Sequence, residues 1–134
     1  PALGLAHFAR TAIRGIGMNR NASNRILTFT FISQAIIESP IIFSLVVSLF
    51  LLFTVAATPI SGIAMLMAGI TAGLGMFGPG LSSGRTAAVA CQEIARNPDN
   101  YNSLARTSIF AQGVIDTAAI YVLLISLGFI FFVS

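Results

Sequence analysis

Two acidic residues lie inside stretches that are otherwise apolar enough to cross a membrane. Glu38 interrupts the run "QAIIESPIIF" at residues 34–43, and Asp116 interrupts "QGVIDTAAIY" at residues 112–121. An ionisable group at mid-depth in a bilayer costs about 2.5–3.5 kcal/mol on insertion scales, so it is usually functional and has a partner. The chemistry that suits such a carboxyl is to bind and release a proton or another cation. The alternative is a neutral carboxylic acid that only hydrogen-bonds to a neighbouring helix.

The two acids occupy equivalent positions in an internal repeat. A shift of 78 residues, without a gap, aligns four pairs of residues: Pro1 with Pro79, Asn19 with Asn97, Gln34 with Gln112, and Glu38 with Asp116. A repeat of this length indicates a duplicated structural unit. Two carboxyls at the same position of two copies favour the interpretation as an ion or proton site over an accident of packing.

The elements that hold these acids are predicted to be membrane helices. The chain of 134 residues is 56% hydrophobic and only 8% charged, whereas about 25% charged is usual for soluble domains. Apolar runs at 26–56, 58–83 and 104–133 each exceed the ~20 residues that a spanning helix needs. The sequence therefore predicts an all-α membrane protein.

Each repeat unit reads as a helix, a polar turn and a second helix, so the chain is predicted to contain tandem transmembrane hairpins. The first hairpin occupies residues 1–56 and the second occupies residues 57–134. The first unit has no counterpart of residues 57–78, and the chain starts at Pro1 in mid-pattern. We expect further residues upstream that complete the first hairpin.

The basic residues predict the orientation in the membrane. All seven lie in two clusters, one before residue 26 and one between residues 85 and 106, whereas the turn "TVAATP" at residues 54–59 carries no charge. Lys and Arg are enriched in cytoplasmic loops, so both clusters are expected on the cytoplasmic side, and "TVAATP" and Ser134 on the other side. The net charge of +3 fits contact with lipid headgroups and is not interpreted as a nucleic-acid surface.

A glycine stripe precedes the second polar turn. Gly69, Gly73, Gly80 and Gly84 recur in "AGITAGLGMFGPGLSSG" at spacings of four and seven. Such stripes let helix backbones approach closely, so these glycines are predicted to pack helices into a tight inner ring. A single pair of this type would fit an ordinary dimer of membrane helices.

The second repeat resembles the c-subunit, the rotor-ring proteolipid, of the F-type rotary ATP synthases. The resemblance rests on the Gly-rich first helix ending in G-P-G, the turn R-N-P at residues 96–98, and an outer helix with one acid followed by Tyr121. It covers residues 57–134, and the first repeat matches more weakly because its turn reads "GMNRN". The fused proteolipids of vacuolar-type ATPases are similar in having tandem hairpins, but they typically keep one of the two carboxyls, whereas this chain keeps both.

The resemblance implies a rotor component of an ATP synthase in an energy-coupling membrane, either a bacterial plasma membrane or an organelle inner membrane. Copies of the chain would form a closed ring in lipid, and each carboxyl would take up and release an ion at the a-subunit of the stator, which carries an arginine. The turn residues Arg96, Asn97 and Pro98 would contact the central stalk. No catalytic site is expected, since the sequence has no nucleophile-and-base set, P-loop or haem motif. The competing class is a static scaffold or pore whose acids line a water-filled path.

The identity of the ion depends on the oxygen ligands around each acid. Sodium-using relatives resemble one another in a Gln 33 positions before the acid and a hydroxyl directly after it. Leu5 and Ser39 occupy these positions for Glu38, and Ser83 and Thr117 occupy them for Asp116, with Tyr121 nearby as a further oxygen. Leu5 cannot bind a cation, so a proton is favoured over Na⁺. No bound cofactor or metal is expected.

Pro40 follows Glu38 by two residues and has no backbone N–H. The carbonyl of Ile36 therefore loses its intrahelical partner, and the helix is expected to bend near Glu38. That carbonyl could serve as a ligand for the ion, or Pro40 could shape the helix alone. The second repeat has Ala118 at this position.

Overall fold

The computed structural model describes residues 1–54 and 58–132 and places almost all of them in helices. The α-helices of the described part are α1 (Ala2–Met18), α2 (Ser23–Phe53), α3 (Pro59–Gly75), α4 (Phe77–Arg96) and α5 (Tyr101–Phe132). Single turns of 3₁₀-helix, Arg20–Ala22 and Pro98–Asn100, precede α2 and α5. The prediction of an all-α protein is confirmed.

Three helical segments of the described ranges are long and apolar enough to cross a membrane. They are Arg20–Phe53, Pro59–Arg96 and Pro98–Phe132, and they contain most of the three predicted apolar runs. The chain is therefore an integral membrane protein. Its orientation stays a prediction, and residues 55–57 of the "TVAATP" turn and residues 133–134 lie outside the described residues. The predicted division between the hairpins at 56/57 falls in the same gap.

The second segment is interrupted at Met76, between α3 and α4. Pro79 has no N–H to donate to the carbonyl of Gly75, so the regular hydrogen-bond ladder cannot continue through this point. Just before this point, the backbone N–H of Met76 is shared between the carbonyls of Ala72 and Leu74. The Gly-Pro sequence therefore separates α3 from α4 without ending the span.

Glycine brings α1 and α4 into close contact. A Cβ atom added to Gly84 would lie 2.6 Å from the Cα atom of Gly4, and one added to Gly80 would lie 2.6 Å from the Cα atom of Pro1. Gly73 has no atom within 4 Å of such a Cβ, and Gly69 meets only a side-chain methyl of Leu51 at 3.5 Å. Within the chain, the predicted glycine set is thus divided between a tight pair on α4 and an open pair on α3.

The remaining helices pack around this contact. α2 lies against both α1 and α4, whereas α5 lies against α4, α3 and α2. Phe8 of α1 and Phe29 of α2 meet edge to face at 6.1 Å, and Ile94 of α4 is buried in the same cluster. α2 therefore occupies the groove between α1 and α4, and its packing against α4 holds the first hairpin to the second.

The bounds of the helices recur at the spacing of the sequence repeat. α1 ends at Met18 and α4 ends at Arg96, which are 78 residues apart. The same spacing separates the two 3₁₀ turns and also the first residues of α2 and α5, Ser23 and Tyr101. The polar turn and the helices that flank it are thus built alike in both repeats.

Candidate ion-binding carboxyls

Both membrane carboxyls lie halfway along their helices. Glu38 is the sixteenth residue of α2, and Asp116 is the sixteenth residue of α5. At a rise of 1.5 Å per residue, each lies about 22 Å from the start of a helix that is long enough to span the bilayer. Both residues are half-buried in the chain. The two acids therefore lie at the same distance along their helices and are buried to a comparable degree.

Asp116 lies where the two hairpins meet. Ser39, on α2 of the first hairpin, is close enough to interact with the Asp116 carboxyl on α5. The Oδ1 atom of Asp116 is buried and has no hydrogen-bond partner among the described residues. Ser83 of α4 is fully buried, and its hydroxyl oxygen also has no partner in the described part of the chain. Asp116 on α5 and Ser39 on α2 thus bring together oxygens from both hairpins.

The other predicted oxygens of this site point elsewhere. Thr117 is exposed, and its hydroxyl donates to the carbonyl of Val114 at 2.7 Å. Tyr121 is 63% exposed. Ser39, which directly follows Glu38 in the sequence, is close enough to interact with Asp116. The roles of Ser39, Thr117 and Tyr121 as ligands stay predictions.

Glu38 has a different set of contacts. Its carboxylate oxygen Oε1 accepts a hydrogen bond from Nε2 of Gln34, one helical turn earlier, at 3.3 Å. Ile36 and Leu5 are half-buried, and Pro40 is buried within α2, which continues as one helix through it. Since residue 40 has no N–H, the Ile36 carbonyl lacks its intrahelical donor at this level.

A buried polar cluster lies next to Asp116, and the sequence alone did not predict a role for it. Gln112 is fully buried, and its Nε2 atom donates to the hydroxyls of Ser33 and Ser108, both at 3.1 Å. Its Oε1 atom is buried without a partner among the described residues. The recurrence of glutamine four residues before each acid, at Gln34 and Gln112, was the available signal.

The polar turns form a second group of predicted contacts. Arg96 is exposed and pairs with Glu93 at 2.9 Å, and Asn97 is also exposed. The carbonyl of Pro98 accepts a hydrogen bond from Arg25 of the first hairpin. Asn19 in the first turn donates from Nδ2 to the carbonyl of Ala95 at 3.0 Å. The two turns are therefore tied together at one end of the helices.

Comparison with known proteins identifies relatives of this chain. The family model of the ATP synthase C-subunit matches residues 66–129, which include Gly80, Gly84 and Asp116. The chain is 40% identical over 67 residues to ATP synthase c-subunit 2 of Cereibacter sphaeroides, covering 50% of this chain and 81% of that relative. It is 31% identical over 72 residues to the chloroplastic ATP synthase c-subunit of Emiliania huxleyi, covering 54% and 88%.

A third relative, the ATP synthase c-subunit of Mesomycoplasma hyopneumoniae, is 37% identical over 58 residues, which are 43% of this chain and 57% of that protein. The relatives thus match about half of the chain. The residues that the family model matches include Gly84, one side of the contact with Gly4, and one of the two membrane carboxyls. The resemblance seen in the sequence is confirmed. The chain belongs to the family of ATP synthase c-subunits.

Proposed function

We propose that this chain is a tandem-hairpin rotor component of an ATP synthase, in which Glu38 and Asp116 each carry a proton through the membrane. The observation that carries the proposal is the placement of both carboxyls on the sixteenth residue of a spanning helix, one in each repeat. A carrier must present its carboxyl at the same depth at every step of rotation. Two acids at equal depth meet this requirement.

The proposed ring continues the packing that the chain already contains. α1 lies on one face of α4, and on another side of α4 a groove runs between α4 and α5, lined by Val89, Ala90, Leu104 and Ala111. Val89 is 62% exposed. A neighbouring copy would place its α1 beside α4 and so extend a row of inner helices until the ring closes. In this arrangement α2 and α5 form the outer row and expose their acids to lipid or to the stator.

The carboxyls need two protonation states in this cycle. A carboxyl that faces lipid must be neutral, because an ionised group at mid-depth is costly. When the ring brings it to the stator, the arginine of the a-subunit would favour the ionised form, and the proton would leave through the stator's exit path. The turn around Arg96, Asn97 and Pro98 would contact the central stalk on the cytoplasmic side or its equivalent, and so couple rotation to ATP synthesis.

A proton is the proposed ion at both sites. Glu38 accepts a hydrogen bond from Gln34, while Leu5 offers no oxygen at the position of the sodium-ligating glutamine. For Asp116, Ser39 is close enough to interact, and Ser83 stands at the sequence position of that glutamine. A proton needs a single acceptor at each site, whereas Na⁺ needs several oxygens.

The test replaces each acid by its amide in the assembled ATP synthase. Glu38→Gln and Asp116→Asn should leave the ring intact but reduce ATP-driven proton uptake into vesicles by more than about tenfold, since an amide cannot release a proton at the stator. Glu93→Gln, the same chemical change near the exposed turn, is the control and should keep uptake. Normal uptake by both mid-membrane variants would show that these acids are not the carriers.

A further inference from the structure

The amide nitrogens of the two glutamines that precede the acids have different hydrogen-bond partners. Gln34 and Gln112 each lie one helical turn before an acid, a spacing at which glutamine and a carboxyl side chain interact on a helix. Gln34 turns its amide N–H toward Glu38, at 3.3 Å. Gln112 uses its amide nitrogen for Ser33 and Ser108, both at 3.1 Å. Equivalent residues of the repeat therefore use their amide nitrogens for different partners.

The difference has a cause in the sequence. An amide nitrogen has two N–H donors, and the two serines take both of them at Gln112. In the first repeat, Thr30 replaces Ser108 and directs its hydroxyl to the carbonyl of Ile26 at 2.7 Å. The residue of the second hairpin that corresponds to Ser33 is Ala111, which has no hydroxyl. Gln34 thus lacks the pair of acceptors that fixes Gln112.

The amide of Gln112, so fixed, leaves its oxygen as an acceptor one helical turn before Asp116 on the same helix. Its Oε1 atom is buried without a partner in the described part of the chain, and the Oδ1 atom of Asp116 is in the same condition. Two acceptors cannot hydrogen-bond to each other, but a protonated carboxyl can donate to an amide oxygen. An N–H donor, as at Gln34, stabilises the ionised carboxylate instead.

From this geometry we infer that Gln112, locked by Ser33 and Ser108, is a positioning residue that stabilises the protonated state of Asp116, whereas Gln34 stabilises the ionised state of Glu38. The inference rests on the proposed carrier role of both acids. It makes the ring a device with two kinds of proton carrier in alternation. Ser33, on the first hairpin, would set the behaviour of the carrier on the second.

Other charged groups near the carriers remain constant in the test. The titratable and charged residues on the helices packed against α5 are Arg25 and Glu38 on α2, Arg85, Cys91, Glu93 and Arg96 on α4, and Asp99 on the 3₁₀ turn before α5, while α3 carries none. α5 itself adds Tyr101, Arg106 and Tyr121, and α1, which packs on α2, adds His7, Arg10 and Arg14. Replacing a serine leaves all of these residues in place, so a change in the labelling of Asp116 would result from the altered orientation of the Gln112 amide.

The experiment is carbodiimide labelling of intact rings in lipid as a function of pH, with each carboxyl followed on its own peptide by mass spectrometry. A hydrophobic carbodiimide reacts with the protonated acid. Labelling of Asp116 should persist to higher pH than labelling of Glu38, although aspartate in small peptides is about 0.4 pH units more acidic than glutamate. Ser33→Ala should lower the half-labelling pH of Asp116 by about 0.5–1 unit, a three- to tenfold change, and leave that of Glu38 unchanged.

Two further variants make the result decisive. Ser108→Ala removes the other acceptor and should give the same shift even if Ser33→Ala fails to assemble. Ser126→Ala deletes a buried serine farther along α5 and should give none. Labelling at both carboxyls with equal midpoints that neither Ser33→Ala nor Ser108→Ala moves would overturn this inference and leave the carrier role standing. Labelling at neither carboxyl would overturn both.

Discussion

The contact between Gly84 and Gly4 gives a prediction whose size follows from the structure. A Cβ at residue 84 would lie 2.6 Å from the Cα of Gly4, whereas carbon atoms in van der Waals contact lie about 3.5–4.0 Å apart. Gly84→Ala therefore requires α1 and α4 to move apart by about 1 Å at this point. The obstacle is backbone, which cannot rotate away as a long side chain can.

The expected loss combines two opposing effects. Overpacking of a close contact typically costs about 1–3 kcal/mol, while alanine in a helix interior is favoured over glycine by about 0.5–1 kcal/mol. Gly113→Ala is the matched control, because nothing lies within 4 Å of a Cβ there and the first repeat already has Ala35 at this position. Gly113→Ala should therefore show only the gain from replacing glycine by alanine in a helix interior. Gly84→Ala should thus be less stable than Gly113→Ala by about 1–3 kcal/mol.

The comparison uses purified protein in mixed micelles, titrated with sodium dodecyl sulfate and followed by helical circular dichroism. The transition of Gly84→Ala should shift to lower detergent fractions than that of the unaltered chain, and the transition of Gly113→Ala should not. Equal stability of the two variants would refute the close approach of α1 and α4.

Other predictions concern the turns and the transported ion. Asn19→Ala should lower the free energy of unfolding by about 1 kcal/mol, because it removes the partly buried hydrogen bond to Ala95, whereas Asn97→Ala, its counterpart on the exposed turn, should change it by less than half as much in the same titration. Arg25→Ala should lower the free energy of unfolding by about 1 kcal/mol, mainly because it removes the hydrogen bond to the Pro98 carbonyl, since its pair with Asp99 is exposed and spans 3.9 Å; a loss that high salt abolishes would contradict that assignment. ATP-driven pumping should proceed in sodium-free buffer, and protection of the carboxyls from carbodiimide by added sodium would instead indicate a sodium site.

The helices and the depth of the acids could be predicted from the sequence because both depend on distance along the chain. Apolar length determines which segments can span a bilayer, and the 78-residue shift places Glu38 and Asp116 at one level. The structure adds helical residues before the runs 26–56 and 104–133 and after the run 58–83, since the helix ends next to the polar turns are polar and so carry no hydropathy signal.

The partners of each acid could not be predicted in the same way. Spacing within one repeat predicts Thr117 as a ligand of Asp116, and it does not predict that Ser39 of the other hairpin also lies close to this acid. Which helix faces share an interface depends on packing between hairpins, and linear spacing does not contain that information. The orientation of the Gln112 amide depends on Ser33 for the same reason.

The glycines illustrate a similar limit. The spacing of the stripe is regular from Gly69 to Gly84, yet only its second half, on α4, meets α1 within the chain. The interruption at Met76 divides a pattern that is continuous in the sequence. Small residues indicate that close approach is possible, and the position of the partner helix decides where it occurs.

An image of the intact ring in its ATP synthase, at a resolution that separates individual helices, is the direct test of a rotor ring built from tandem hairpins. We expect a closed ring with an even number of hairpins, α1 and α4 in the inner row, and Glu38 and Asp116 alternating at one level on the outer row. An odd number of hairpins, or acids that face a water-filled path inside the ring, would contradict it.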